Sequence, residues 1–308
     1  SVAVTPDGRT LVFLHQTATR PAEISRAGAD GTGLAAVTRA NDDLFAGLEI
    51  PEPESLWYEG EGKTRIQAWL FRPPGFDPAR RYPFVYLVHG GPQGAWLDSW
   101  SFRWNPALWA AQGYLVMAPN PRGSTGFGQK FTDAISRDWG GKVFVDLMRG
   151  FVWAERQPFV DSARKAAAGA SYGGYMVNWL QGNAPGRFRA LVSHCGTFNA
   201  VSMYGQTEEL WFEEWEHGGT PWENPEGYEK FSPHRLAANF RTPTLVIHNE
   251  KDFRVPIGEG LQLFTALQRR GIPSKFVVFP DEGHWVLKPA NSRFWHETVF
   301  GWLAEHLK

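Results

Sequence analysis

Gly169-Ala170-Ser171-Tyr172-Gly173 fits G-x-S-x-G, a pattern that presents a serine hydroxyl for nucleophilic attack. A hydroxyl is a weak nucleophile. It needs a sharp strand-to-helix turn to expose it and a base within reach. Glycines two positions either side let backbone segments approach closely around such a turn. Five residues alone match by chance often, so the setting matters: the apolar run Ala166–Ala168 precedes Ser171, and a helical pattern over Gly173–Gln181 follows it.

The base and its partner come later in the chain. Thr244–His248 is an apolar, strand-like run that ends in Asn249-Glu250-Lys251-Asp252. Lys275–Phe279 is a second such run, followed by Pro280-Asp281-Glu282-Gly283-His284. Asp252 and His284 therefore sit on loops after strands, where α/β sheets build their sites. The order Ser, acid, His is that of the α/β-hydrolase triad. In that reading Ser171 attacks a carbonyl, His284 takes and returns the proton, and Asp252 holds the imidazole in its working tautomer. Glu250 and Asp281 are competing carboxylates, although Asp281 lies so close to His284 that it is expected to shape the loop. His194 and His248 also end strands and are expected to be satisfied core residues.

Charge that develops on the substrate oxygen needs donors. The backbone N–H of Tyr172, next after the nucleophile, supplies one. The loop His89-Gly90-Gly91-Pro92, after the strand Phe84–Val88, is expected to supply the other. Other chemistries lack their motifs. Gly123 to Lys130 resembles a phosphate loop only until Gln129, which stands where a lysine is required. Neither H-e-x-x-H nor paired C-x-x-C occurs, so no metal is expected, and the expected cofactor is none.

These residues must be positioned by a larger frame. Strand candidates at Phe84–Val88, Tyr114–Ala118, Ala166–Ala168, Ala190–His194, Thr244–His248 and Lys275–Phe279 alternate with helix candidates near Pro106–Gln112, Lys142–Arg156, Gly173–Gln181, Gly258–Arg270 and Ser292–His306. That alternation predicts an α/β fold, with a mostly parallel sheet and helices on both faces. Ser55–Glu59 and Arg65–Arg72 are expected to pair as a hairpin across Gly60-Glu61-Gly62. Residues 1–45 differ. Short strands at Leu11–Leu14 and Ala22–Arg26 between Asp-Gly turns read as the last blade of a β-propeller, preceding a catalytic domain over 46–308. One blade cannot bury both faces unaided, so this chain is expected to be the C-terminal part of something longer.

Composition removes several partner classes. Lys plus Arg (31) nearly balances Asp plus Glu (32), which gives no electrostatic reason to expect nucleic acid or a membrane surface. The single cysteine, Cys195, excludes an intrachain disulfide. Fifteen tryptophans, many between Trp96 and Trp109 or Trp211 and Trp222, are expected mainly to bury area.

Taken together, His89-Gly90-Gly91-Pro92, Asn120-Pro121-Arg122-Gly123-Ser124-Thr125-Gly126-Phe127-Gly128, Gly169-Ala170-Ser171-Tyr172-Gly173-Gly174-Tyr175 and Asp252-Phe253-Arg254-Val255-Pro256 resemble the motif set of the prolyl oligopeptidase family of serine peptidases. The resemblance covers residues 53–308. Within the family, His248-Asn249-Glu250 and the segment Glu208 to Pro221 look most similar to dipeptidyl peptidases of type 5 and acylaminoacyl peptidases. Asn249 departs from the glycine that many members carry there. The resemblance implies Gly91 and Tyr172 as oxyanion donors, and a substrate pocket drawn from Tyr175, Phe198, Trp211, Trp215 and Val255. It implies a peptide as substrate partner, with the rest of a propeller and a second copy of the chain as further candidates. It implies a periplasmic location for a type 5 member and a cytoplasmic one for an acylaminoacyl peptidase.

Glu208, Glu209, Glu213, Glu214 and Glu216 are read either as an anchor for a substrate α-ammonium or, preferably, as the solvated face of an amphipathic helix. Two rival functions remain: a carboxylesterase on the same fold, and an inactive fragment acting as an interaction module. A neutral His284 base is expected to give an acid limb near the ordinary histidine value of about 6.5.

Overall fold

Alternate side chains of the strand Tyr82–Val88 leave on opposite faces of a sheet, and both faces are covered. Phe84, Tyr86 and Val88 enter one apolar cluster, while Val85 and Leu87 enter another. A strand buried on both sides reads as continuous apolar sequence, and so does this one. The computed structural model describes residues 1–307.

Eight strands form the main sheet: β5 (Glu54–Glu59), β6 (Arg65–Phe71), β7 (Tyr82–Val88), β8 (Leu115–Asn120), β9 (Val160–Ala170), β10 (Ala190–His194), β11 (Thr244–Asn249) and β12 (Ser274–Phe279), ordered β12-β11-β10-β9-β7-β8-β6-β5. From β8 through β12 every neighbouring pair is parallel, while β6 runs antiparallel to β8 and pairs β5 as the expected hairpin. Four strands upstream, β1 (Val2–Val4), β2 (Thr10–Thr17), β3 (Arg20–Gly28) and β4 (Ala35–Ala36), make a separate antiparallel sheet in the order β1-β2-β3-β4.

The helices are α1 (Asp42–Phe45), α2 (Pro106–Ala110), α3 (Gln129–Asp133), α4 (Lys142–Glu155), α5 (Tyr172–Asn183), α6 (Ala200–Tyr204), α7 (Leu210–His217), α8 (Pro225–Glu229), α9 (Ile257–Arg269) and α10 (Pro289–His306). Leu147 and Phe151 of α4 join Met176, Val177 and Leu180 of α5 on one face of the main sheet. Trp109 of α2 and Trp295, Val299 and Leu303 of α10 cover the other. No helix among the described residues is long and apolar enough to cross a membrane.

Arg122 ties this frame together. Its guanidinium grips the fully buried Asp146 of α4 through Nε and an Nη, each at 2.9 Å, and reaches Glu61 of the β5–β6 turn at 3.1 Å. Paired carboxylates raise the Arg122 pKa, chiefly through the Asp146 hydrogen bonds. The N-terminal sheet is joined more lightly: Ala18 N–H donates to Asp98 at 2.7 Å, Thr19 Oγ1 donates to Glu52 at 2.9 Å, and the Phe45 ring meets Trp100.

Candidate active site

β9 delivers its last residue, Ala170, directly into Ser171, and α5 starts at Tyr172. Ser171 sits at φ 60° and ψ −126°, a region that a non-glycine residue occupies only when its surroundings hold it there, at a cost of about 1–3 kcal/mol. Two backbone hydrogen bonds hold it: Ser171 N–H donates to His194 O at 3.0 Å and Ser171 O accepts from Tyr175 N–H at 2.9 Å. Crowding explains Gly173, where a Cβ would lie 2.1 Å from Val88 O. The helix therefore rises tight against β7, and only the serine side chain is left at the turn.

Asp252 and His284 reach the same end of the sheet from the loops after β11 and β12. His284 Nδ1 lies 2.8 Å from Asp252 Oδ2. Asp252 is 2% exposed, and its other oxygen accepts the N–H groups of Arg254 and Val255 at 3.1 and 2.9 Å. That leaves one carboxylate oxygen for the imidazole and fixes its direction. Asn249 is fully buried and donates through Nδ2 to Gly283 O at 2.5 Å. The departure from the family's glycine thus clamps the acid-bearing loop to the His284 loop. Glu250 N–H and Lys251 N–H add bonds to Phe279 O and Glu282 O. Asp281 points away and pairs with Lys288 and Asn291, which accounts for its role as a loop former.

Burial pushes the His284 pKa down, but the neighbouring Cys195 and the Asp252 hydrogen bond outweigh it and carry the value up to about 10. With that shift the acid limb of turnover is predicted above the ordinary value of about 6.5, which a pH profile tests. Burial holds His248 and His194 below the ordinary range. Both are core residues as expected, yet they are not fully satisfied. His248 bonds Val255 O through Nε2 at 2.6 Å and leaves Nδ1 unpaired, while neither nitrogen of His194 has a partner among the described residues.

The loop His89–Pro92 packs on the elbow so closely that a Cβ on Gly90 would lie 2.9 Å from Ala170 O and 3.1 Å from Ser171 Cβ. His89 braces it, with Nδ1 2.8 Å from Gly90 O and Nε2 2.9 Å from Ser124 Oγ. Burial keeps His89 below its ordinary pKa, and Ser124 Oγ in turn donates to Pro121 O at 2.6 Å. Ser124 belongs to the Asn120–Gly128 motif, whose function is therefore to support this loop. Of the two expected oxyanion donors, Gly91 borders the same cavity as Ser171, and Tyr172 follows Ser171 at the start of α5. As the first residue of α5, Tyr172 has an N–H with no intrahelical acceptor.

Ser171, His284, Gly90 and Gly91 open onto one cavity of ≈ 590 Å³. Its other walls include Trp96, Trp104, Trp211, Phe212 and Trp285, with Glu209 and Arg254 at 3.0 Å from each other. Of the five expected pocket residues, only Trp211 is among these walls. Tyr175 is buried in an aromatic cluster with Trp139 and Trp179 and donates to Phe231 O. Phe198 packs on Phe240 in a separate core cluster. Val255 is buried beside Asp252, and Trp215 is 65% exposed. A sequence reading missed Trp104 and Trp285 as cavity walls, because they converge from distant segments; Glu209 was named only within the acidic segment and Arg254 only within the acid-bearing motif.

The acidic segment also departs from expectation. α7 turns Glu213 and Glu216 inward and Trp211 and Trp215 outward, while Phe212 packs toward Trp139. Glu213 is 1% exposed and lies 3.1 Å from His217, and Glu216 accepts from Gln93, Ser136 and Trp139. Trp211 is 69% exposed. The solvated acidic face is therefore wrong for Glu213, paired with His217 on the same helix, and for Glu216, whose partners come from other parts of the chain.

Residues 100–308 match the model of the prolyl oligopeptidase family. The chain belongs to that family. It is 50% identical over 269 residues to a probable dipeptidyl-peptidase 5 of Aspergillus clavatus, covering 86% of this chain and 37% of the relative. It is 48% identical over 264 residues to dipeptidyl-peptidase 5 of Schizosaccharomyces pombe, covering 85% and 39%. The acylaminoacyl peptidase of Pyrococcus horikoshii superposes with a TM-score of 0.91 at 28% identity, over 100% of this chain and 49% of that one. The chain thus spans little more than a third of the curated relatives it matches.

Proposed function

We propose that residues 46–308 are the catalytic domain of a serine peptidase that hydrolyses short peptides through an acyl-enzyme, as a dipeptidyl peptidase or an acylaminoacyl peptidase. The observation that carries the reading is the strained Ser171 turn facing the same cavity as a His284–Asp252 pair 2.8 Å apart. Ser171 Oγ attacks the peptide carbonyl while His284 accepts its proton through the nitrogen not bonded to Asp252. Asp252 steadies the imidazolium, and the N–H groups of Tyr172 and Gly91 receive the oxyanion. His284 then protonates the leaving amine, and water releases the acyl group by the same steps in reverse.

Aromatic walls suit an apolar substrate side chain, and Arg254 can donate to a peptide carbonyl. The carboxylate in the cavity available to a substrate ammonium is Glu209, whose side chain keeps 26% exposure, while Glu213 is sealed against His217. Residues 1–45 are proposed as one propeller-type blade, supported by the four-stranded antiparallel sheet they form.

Labelling by a fluorophosphonate, lost in Ser171→Ala, tests the nucleophile; labelling retained by that variant would overturn it. Turnover of dipeptidyl and acyl-aminoacyl anilides, compared with simple p-nitrophenyl esters, tests the substrate class. Hydrolysis of the esters alone would replace the peptidase reading with a carboxylesterase.

A further inference from the structure

Cys195 is the chain's single cysteine, one residue past β10, and it sits at φ 40°. A side chain in that left-handed region is strained, and the turn is held by Cys195 N–H donating to Ile247 O at 2.8 Å. The consequence of the turn is a contact with the triad. Cys195 Sγ, a carboxylate oxygen of Asp252 and a ring nitrogen of His284 all lie within 4.8 Å of one another. Cys195 also borders the cavity that holds Ser171. A second observation comes from its neighbour. His194 borders the same cavity, is 3% exposed, and has neither ring nitrogen paired among the described residues.

We infer that Cys195, His284 and Asp252 form a site for a soft divalent cation of the zinc or cadmium type, and that filling it takes His284 out of catalysis. Thiolate and imidazole select such ions, whereas magnesium and calcium require sets of oxygen ligands. Zinc holds sulfur, nitrogen and oxygen at about 2.0–2.3 Å in a tetrahedral arrangement, so two ligands of one ion stand about 3.3–3.8 Å apart. The observed grouping meets that spacing after a closure on the order of 1 Å by its most distant pair. Binding expels two protons to solvent, one from the thiol and one from between His284 and Asp252. The ion then rests on a thiolate, a neutral imidazole and a carboxylate. A ring fixed on the ion can no longer swing its proton between Ser171 and the leaving group. The binding stands on geometry alone, while the loss of turnover rests on the catalytic reading proposed above.

The test uses the whole chain in chelator-treated buffer, titrated with zinc, cadmium or magnesium chloride. Calorimetry is expected to give one zinc or cadmium ion per chain and no magnesium. Cadmium is expected to raise the ultraviolet band of a cadmium–thiolate bond. Cys195→Ser is expected to lose that band and to weaken both ions by at least about tenfold. Methylthiolation of Cys195 in the wild-type protein should do the same without relying on a variant to fold. In peptidase assays, zinc inhibition should be reversed by chelator and weakened by the same factor in Cys195→Ser, relative to that variant's own uninhibited rate. Unchanged zinc affinity in Cys195→Ser, or no stoichiometric binding by the wild type, would overturn the site. Cysteine-dependent binding to a chain without turnover would leave the site standing and overturn only the proposed function.

Discussion

The two sheets of this chain use similar residues in different ways. In the main sheet β7 has five of its seven residues at or below 2% exposure, with a helical layer on each side. In the N-terminal sheet β1 is exposed throughout, with Val2 at 69% and Val4 at 58%, and Leu14 of β2 is 54% exposed. The valines of both sheets satisfy the same strand preference. Only the first sheet turns that preference into a core, because crossover helices bring a second apolar surface to each face. A site that depends on a strained turn and a directed carboxylate needs that rigidity, and the elbow sits in the sheet that supplies it.

The largest effects should follow from removing the reacting groups, which the comparison assigns to the rigid sheet. Ser171→Ala and His284→Ala are each expected to lower kcat by on the order of 10⁶-fold, and Asp252→Asn by about 10⁴-fold. Steady-state turnover of a dipeptidyl anilide measures this, and a drop below tenfold in any of them would remove that residue from the triad.

The frame comes next. Arg122→Ala leaves Asp146 buried and unpaired, so urea denaturation should show a loss of about 3–5 kcal/mol. A loss under 1 kcal/mol would mean that the motif around Arg122 is not structural.

The contrast between sheets can then be measured directly. Leu180→Ala, against the fully buried face, should cost about 2–5 kcal/mol, whereas Val4→Ser should stay within about 0.5 kcal/mol. Equal costs would show that the N-terminal sheet has a core of its own in solution.

The smallest effect is a shift along the pH axis. His284 acts only when neutral, and its pKa is raised to about 10. In chelator-treated buffer, kcat/KM should therefore still be rising above pH 7, since the active form accumulates only as the proton is lost. Replacing Cys195, a neighbour that raises His284, should move the acid limb downward. A limb at the ordinary value of about 6.5 in the wild type would contradict the electrostatics of the site.

Much of this protein was legible in its sequence, for identifiable reasons. Strand and helix periods are local properties, so five of the six parallel strands, the β5–β6 hairpin and the five main helices fell within a few residues of their expected limits, while β9 begins at Val160, six residues before its expected start. Ser171, Asp252 and His284 carry their reading because strand-end position and order along the chain are themselves sequence properties. Convergence is not. The burial of Glu216 depends on Gln93, Ser136 and Trp139 arriving from other segments, and that of Glu213, paired with His217 one turn along the same helix, depends on which face of α7 the fold turns inward; a helix read alone puts its acids in water. The cavity walls likewise come from six separate stretches of the chain, which is why Tyr175, Phe198 and Val255 lie in packing and Trp104 and Trp285 face the cavity. The proposed triad was thus legible along the chain, through chemistry tied to fixed places on strands and loops. The surroundings of its histidine, with Cys195 beside it and Asn249 locking its loop, were decided only by the fold, because distances across a sheet are set by packing and not by sequence separation.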